Sequence, residues 1–271
     1  MDLLDVKMGY SRLGINIRRK KIIQILKAKG FVLASELSAA LRIGEATIQK
    51  DFEIMEEAGQ IERFCNGAIL LADDKRNALG ASLTLYKHAI AMRAAQCVEQ
   101  GDAIFVNSSS TALLMLPYIE ARHVTVVTNN TRAIGIKRRD DMTVILTGGE
   151  VWPPENMLVG KLTLDDVERF AASKSFLGCS GITAKRGITT AILREAAINE
   201  LMLTKTTGKR FILADRTKVG RTSSFTCGMC DQISCLITDA MASKGEVAKL
   251  RKRIEVVQVD APTRPDLGGD E

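Results

Sequence analysis

Ala46, Thr47, Gln49 and Lys50 share the polar side of a segment in which Ile48, Phe52 and Met55 recur at i, i+4 and i+7. A helix over 45–57 would bury those three apolar residues and present the other four to a partner. Upstream, Ser35 is placed to cap a short helix over 36–41, and Arg42-Ile43-Gly44 makes a tight turn between the two. Downstream, Gly59 stops the second helix, and two short β-rich runs, 61–63 and 68–71, flank Asn66-Gly67, a strong hairpin signal. A short helix, a tight turn, a longer helix with a polar leading face and a hairpin wing form a reader of duplex DNA, the second helix entering the major groove. The expected contacts are Ser35, Ala46, Thr47, Gln49 and Lys50, with Arg63, Asn66 and Gly67 of the wing reaching a phosphate or the minor groove. Helix-turn-helix pairs also occur in proteins that never touch DNA; the conjunction of turn, polar face and hairpin is what favours binding here.

A second set of residues follows β-rich runs in the rest of the chain. Asn107-Ser108-Ser109-Ser110-Thr111, Thr128-Asn129-Asn130, Thr147-Gly148-Gly149, Cys179-Ser180-Gly181, Asp215-Arg216-Thr217-Lys218 and Thr238-Asp239 each follow one such run. Hydroxyls and backbone N–H groups at the start of a helix after Asn107 suit an anion, and Lys218 adds a positive charge. Asn, Thr and Asp side chains suit the hydroxyls of a sugar, so a phosphorylated polyol is the expected ligand, although Ser/Thr turns also cap helices with no ligand present.

These turns converge only if strands and helices alternate. The strands expected are 103–106, 124–127, 143–146, 175–178, 211–214, 233–237 and 256–259, with helices over 112–119, 163–172, 192–203 and 244–252. That alternation predicts an α/β domain with a mostly parallel sheet covered on both faces, whose ligand crevice lies at the carboxyl ends of the strands. Residues 19–29 predict the first helix of the DNA module. The expected organisation is an N-terminal arm over 1–17, the winged helix-turn-helix over 18–71 and a polar linker over 72–82. A helix over 83–99 leads into the effector domain, 83–260, and a disordered tail occupies 261–271.

At 271 residues each part is long enough to bury a core. A net charge of +6 permits nucleic-acid binding without requiring it. Arg18-Arg19-Lys20-Lys21 could grip phosphates or be a solvated face. There is no run long enough to cross a bilayer and no signal-peptide pattern, so a cytoplasmic protein without membrane contact is expected. Cys227-Gly-Met-Cys230 has half the spacing of a zinc site but lacks a second pair, so no metal and no cofactor is expected.

Ile43-Gly44-Glu45-Ala46-Thr47-Ile48, Gln49-Lys50-Asp51-Phe52 and Asn66-Gly67-Ala68 resemble the turn, recognition helix and wing of the DeoR-type family of bacterial regulators. The resemblance runs from about residue 18 to 259. It implies a C-terminal domain similar to sugar-phosphate isomerases, a phosphorylated sugar as effector and repression of a sugar-metabolism operon. It carries Asn107–Thr111, Asn129, Gly148, Gly149, Gly181, Thr189, Glu195, Asp215 and Lys218 as effector-site positions. The chain departs from the pattern at Gly44, where Ser is usual, and at Gln49-Lys50, where two arginines are usual. In the second domain it departs at Asn107 (commonly acidic), Ser109 (usually Gly) and Asn199 (often Lys), which predicts an altered charge pattern in the pocket. Gln49 could hold adenine with two hydrogen bonds, so a different operator is implied. A homo-oligomer, dimer or tetramer, would place two modules on a palindromic site.

Two other readings compete. A phosphosugar isomerase with an appended DNA module would draw its base from Glu195, Asp215 or Asp239, but no compact acid/base group is visible. A redox or metal sensor would use Cys227 and Cys230.

Overall fold

The structure is a computed structural model that describes residues 12–29, 31–64, 67–70, 75–153 and 155–261. The arm over 1–11, the turn residue Asn66 and the tail over 262–271 lie outside the described residues. The described residues divide into two compact units, the first ending at Leu85 and the second spanning Tyr86–Ala261.

The first unit contains α1 (Arg12–Lys29), β1 (Phe31–Leu33), α2 (Ala34–Leu41), α3 (Glu45–Glu57), β2 (Ile61–Phe64) and β3 (Gly67–Leu70). Its core is the junction of the helices and the hairpin: Ile22 and Leu26 of α1, Leu37 of α2, Ile48, Phe52 and Met55 of α3 and Ile61 of β2 are all essentially inaccessible. The helical periodicity of α3 is thus the packing face. The strands form an antiparallel sheet in the order β1-β3-β2. Strand β1 was not anticipated, since three residues carry no detectable period; it pairs Val32 with Ala68. Helix α1 begins at Arg12 instead of residue 19 and takes in Gly14, which is buried. Helix α2 begins one residue before Ser35, with Leu33 at the cap position and no side-chain cap bond, so Ser35 is not the cap expected.

Helix α4 (Lys75–Ala95) replaces most of the expected linker with helix. Gly80 costs a helix only about 1 kcal/mol, and the alanines, leucines and basic residues around it outweigh that.

In the second unit β4 (Ala103–Val106), β5 (Thr125–Thr128), β6 (Thr143–Leu146), β9 (Lys174–Gly178), β12 (Arg210–Leu213), β14 (Cys235–Asp239) and β15 (Glu255–Val259) form a seven-stranded sheet in the order β15-β14-β12-β9-β4-β5-β6. Every neighbouring pair is parallel. Alternate residues feed two cores on opposite faces: Phe105 and Leu177 on one, Ile104, Val106 and Phe176 on the other. Helices α5 (Ser110–Leu113), α6 (Lys161–Glu168), α7 (Leu193–Thr204) and α8 (Lys244–Leu250) lie between strands. Helix α5 is a single turn, shorter than expected; a 3-10 turn over Leu116–Tyr118 follows, where Pro117 lacks the N–H that an α-helix needs.

The chain runs outward from β4 to β5 and β6, then returns to β9 on the other side of β4 and runs outward again through β12, β14 and β15. Its direction reverses between β4 and β9, which opens a crevice beyond their carboxyl ends. A β7–β8 hairpin (Glu150–Trp152, Met157–Val159) and an antiparallel sheet of β10 (Gly181–Thr183), β11 (Gly187–Thr190) and β13 (Phe225–Gly228) complete the unit. No described helix is long and apolar enough to cross a membrane.

Candidate nucleic-acid interface and effector cavity

In the first unit, Arg42 takes a left-handed conformation (φ 53°) and Gly44 caps α3 without a side chain. Replacing a Ser cap by Gly costs only a few tenths of a kcal/mol, so α3 keeps its start. Ala46 and Lys50 are exposed, Thr47 and Gln49 are half-buried, and Ile48 and Phe52 are buried. The polar face expected of a recognition helix is therefore formed.

Three arginines, Arg18, Arg19 and Arg63, are engaged within the unit. Arg18 is 3 % exposed, and its guanidinium is spent on Asp51 of α3, which is 2 % exposed. Its Nε donates to Asp51 Oδ2 and its Nη2 to Oδ1 at 3.0 Å, while Arg19 Nε donates to Oδ1 at 2.9 Å. A buried carboxylate needs such partners, so these arginines fasten α1 to α3. Arg63 is likewise buried, with 9 % exposure. Its backbone N–H donates to Glu56 Oε1 (3.1 Å), its Nη2 donates to Gln49 Oε1 (3.2 Å), and its Nη1 lies 3.5 Å from Glu53 Oε1. The wing therefore turns Arg63 onto α3, not outward to a phosphate or the minor groove. Gly67 is packed against β1, where a Cβ would strike the Phe31 ring and the Val32 carbonyl, so packing alone requires a glycine there.

In the second unit, the crevice beyond β4 and β9 holds a cavity of about 460 Å³. Ser108, Ser109, Ser110 and Thr111 after β4, Cys179 and Ser180 after β9, Asp215 and Lys218 after β12, and Glu195 of α7 line it. The carboxylate of Glu195 accepts from Ser108 Oγ at 3.2 Å and from Thr190 Oγ1. Asp215 Oδ1 accepts from Thr217 N at 2.9 Å, which shapes the turn that carries Lys218. Ser109 caps the one-turn α5 by accepting from Ala112 N at 3.4 Å. The bulk that Ser109 adds over glycine rests against the bare Cα of Gly178, where any Cβ would strike its hydroxyl.

Six residues expected at the effector do not line the cavity. Asn107 is fully buried: its Nδ2 donates to Gly178 O (3.0 Å) and Asn199 Oδ1 (2.9 Å), and its Oδ1 accepts from Gly178 N (3.0 Å) and Ser109 N (3.2 Å). With both branches of the amide saturated it holds β4, β9 and α7 together. Asn129 donates to Leu158 O at 3.0 Å and is buried. Gly148 donates its N–H to Asp166 Oδ2 (2.7 Å) and accepts from Thr163 Oγ1 (2.7 Å), and Gly149 (φ 129°) leaves no room for a side chain beside Thr163. That pair docks the end of β6 onto α6. Gly181 and Thr189 are paired in the small antiparallel sheet, where Thr189 Oγ1 donates to Gly181 O at 3.1 Å.

The cavity also contains residues that the sequence did not disclose: Lys87 of α4, Arg132, Glu155 and Met157. Lys87 and Arg132 lie outside the strand-end turns, and only the fold brings them to the serine loop. Burial, reinforced by Cys227, raises the Cys179 thiol well above its ordinary range, so it lines the wall as a neutral group. Burial likewise pushes Cys227 up to about 12. Among the described residues no group of three or more His, Cys, Asp and Glu is placed to hold a metal ion.

Comparison with known proteins agrees with both halves. Residues 18–73 match the DeoR-like helix-turn-helix domain, and residues 84–240 match the DeoR C-terminal sensor domain. The HTH-type transcriptional regulator GolR of Listeria innocua is 32% identical over 240 residues, covering 86% of this chain and 94% of that protein. The glycerol-3-phosphate regulon repressor of Escherichia coli is 24% identical over 228 residues, covering 82% of this chain and 90% of its own. Among solved structures, ribose 5-phosphate isomerase A from Methanocaldococcus jannaschii overlaps 51% of this chain and 55% of its own, with a TM-score of 0.37 and 14% identity.

Proposed function

Because the chain belongs to the DeoR family of helix-turn-helix transcriptional regulators, we propose that it represses a sugar-metabolism operon under the control of a phosphorylated sugar bound in its sensor domain. The chain is a DNA-binding transcriptional regulator; the effector, its contacts and the direction of control are the proposed parts. The observation that carries them is the cavity wall. Lys87, Arg132 and Lys218 approach it from three separate segments, beside the hydroxyls of Ser108, Ser109, Ser110 and Thr111. None of the three side chains is spent on an ion pair among the described residues. Three cations arriving from three segments suit a dianionic phosphate, and Glu195 and Asp215 of the same wall suit sugar hydroxyls. The name of the Escherichia coli relative refers to a phosphorylated polyol, which is the same chemistry.

Control follows from linkage. A sugar phosphate that prefers a state with poor operator affinity weakens DNA binding by the same factor by which DNA weakens the sugar phosphate. At the operator, Ala46, Thr47, Gln49 and Lys50 face the major groove. A homo-oligomer in the cytoplasm sets two copies of α3 on a repeated half-site. The sensor domain is read as binding without turnover: Glu195 is held by Ser108 and Thr190, Asp215 by its own turn and Asp239 by the N–H groups of Arg216 and Met241, so these carboxylates serve as fixed acceptors.

Calorimetric titration with a panel of phosphorylated sugars and their unphosphorylated counterparts, followed by NMR of each mixture, tests this. Saturable binding of one phosphorylated sugar with no new product is the expected result. Absence of binding across the panel would overturn the effector assignment, and steady formation of an isomer would favour the enzyme reading.

A further inference from the structure

Arg63 of the wing and Gln49 of the recognition helix are joined by a hydrogen bond of 3.2 Å, from Arg63 Nη2 to Gln49 Oε1. A guanidinium can only donate, so the amide atom it meets must be the carbonyl oxygen, and this fixes which way the Gln49 amide is turned. Arg63 cannot easily leave. It is 9 % exposed, its N–H is bonded to Glu56, and its Nη1 sits 3.5 Å from Glu53. The remaining hydrogen-bonding branch of Gln49 is Nε2, a donor.

A free glutamine holds adenine by accepting from N6 and donating to N7. Here one lone pair of the oxygen is taken by a guanidinium, which weakens that oxygen as an acceptor for a second donor such as the adenine amino group. Guanine presents two acceptors, N7 and O6, to the major groove, and both are favourable to an amide N–H next to a guanidinium.

We propose that Arg63 is a specificity-determining residue acting through Gln49: by holding Oε1 it turns the glutamine into a donor that selects guanine over adenine at one operator base pair. Arg63 itself is a positioning residue and need not touch DNA. The proposal rests on α3 being the recognition helix, and it replaces the adenine contact that glutamine alone suggests.

The test is selection from a randomised duplex library by the full-length protein, wild type and Arg63→Met. Methionine keeps the buried stem of Arg63 and removes the guanidinium. Wild type is expected to favour guanine at the pair read by Gln49, identified as the pair whose preference Gln49→Met erases. Arg63→Met is expected to move that preference to adenine by roughly tenfold, the scale of one good base contact. An Arg63→Met protein that still selects guanine overturns the proposal. A second arm uses wild type alone and so does not depend on the variant folding: adenine at that pair is replaced by purine, which keeps N7 but lacks the amino group. Binding that is unchanged or tighter supports the tether, and a tenfold loss means that Gln49 accepts from N6 and overturns it. If the wild type selects no sequence at all, the recognition-helix reading has failed, not the tether.

Discussion

Asn107 at the end of β4 donates Nδ2 to the Oδ1 of Asn199 in α7 at 2.9 Å, and both side chains are buried. These are the two positions at which the sequence departs from the acidic residue and the lysine common in the family. The expected change in the charge of the pocket therefore does not occur as two separate losses. Opposite charges are absent from two groups in contact, and neutral amides satisfy each other in their place. This pair supports the serine loop from behind, because the same Asn107 oxygen accepts from Ser109 N at 3.2 Å.

Asn107→Asp alone should be strongly destabilising. It replaces a donor by an acceptor opposite Gly178 O and Asn199 Oδ1, and it buries a carboxylate without a cation, a change of about 3–5 kcal/mol. Asn107→Asp with Asn199→Lys should recover much of that loss. Urea unfolding of the two variants checks both expectations; a double variant no better than the single one would mean that the contact does not couple the two sites.

Lys218→Met should weaken binding of the phosphorylated effector by roughly tenfold to a hundredfold, the worth of one charge-assisted phosphate contact. Calorimetry should show little change for the unphosphorylated sugar. Equal losses for both ligands would place Lys218 on the sugar and not on the phosphate.

The Asp51 cluster predicts a difference between two basic residues that look alike in the sequence. Arg18→Met leaves Asp51 with only Arg19 and should cost the first unit about 3 kcal/mol or more, seen as a lower denaturation midpoint. It should leave the salt dependence of operator binding unchanged. Lys50→Met should do the reverse, lowering the slope of log K against log salt by about one with little effect on stability.

His88 is 6 % exposed, and burial lowers its pKa from 6.5 to about 4, with Tyr118 Oη 2.7 Å from Nδ1. The unfolded chain takes up its proton near pH 6.5 and the folded chain only near 4. The stabilisation from neutral His88 is thus complete above pH 6.5 and is lost progressively as pH falls to about 4. The loss amounts to roughly 3 kcal/mol. Thermal denaturation from pH 7.5 to 4 should show this slope in wild type, and a shallower one in His88→Gln.

Much of the fold was legible because it rests on local patterns. All seven strands of the parallel sheet are short runs centred on Val, Ile, Leu or Phe, and the inner strands are buried on both faces. The face of α3 followed from the spacing of Ile48, Phe52 and Met55. What escaped depends on distant partners. Strand β1 is defined by pairing with β3, the β10-β11-β13 sheet joins segments nearly forty residues apart, and α4 hides behind one glycine. The site divides in the same way. The serine loop, Asp215 and Lys218 could be placed from strand ends. The burial of Arg18 depends on Asp51, 33 residues later, and that of Arg63 on Glu53 and Gln49 one helix earlier. A charged residue looks solvent-facing in sequence until its buried counter-charge is known.

The central claim is that one chain couples operator binding to a phosphorylated sugar. The most direct measurement is selection of genomic DNA fragments by the purified full-length protein at low salt, with and without a pool of sugar phosphates. The account predicts enrichment of fragments that share a repeated half-site, reduced when the phosphorylated pool is present and unaffected by the unphosphorylated sugars. Enrichment that is indifferent to every sugar phosphate would contradict the coupling, and no enrichment under either condition would contradict operator recognition itself.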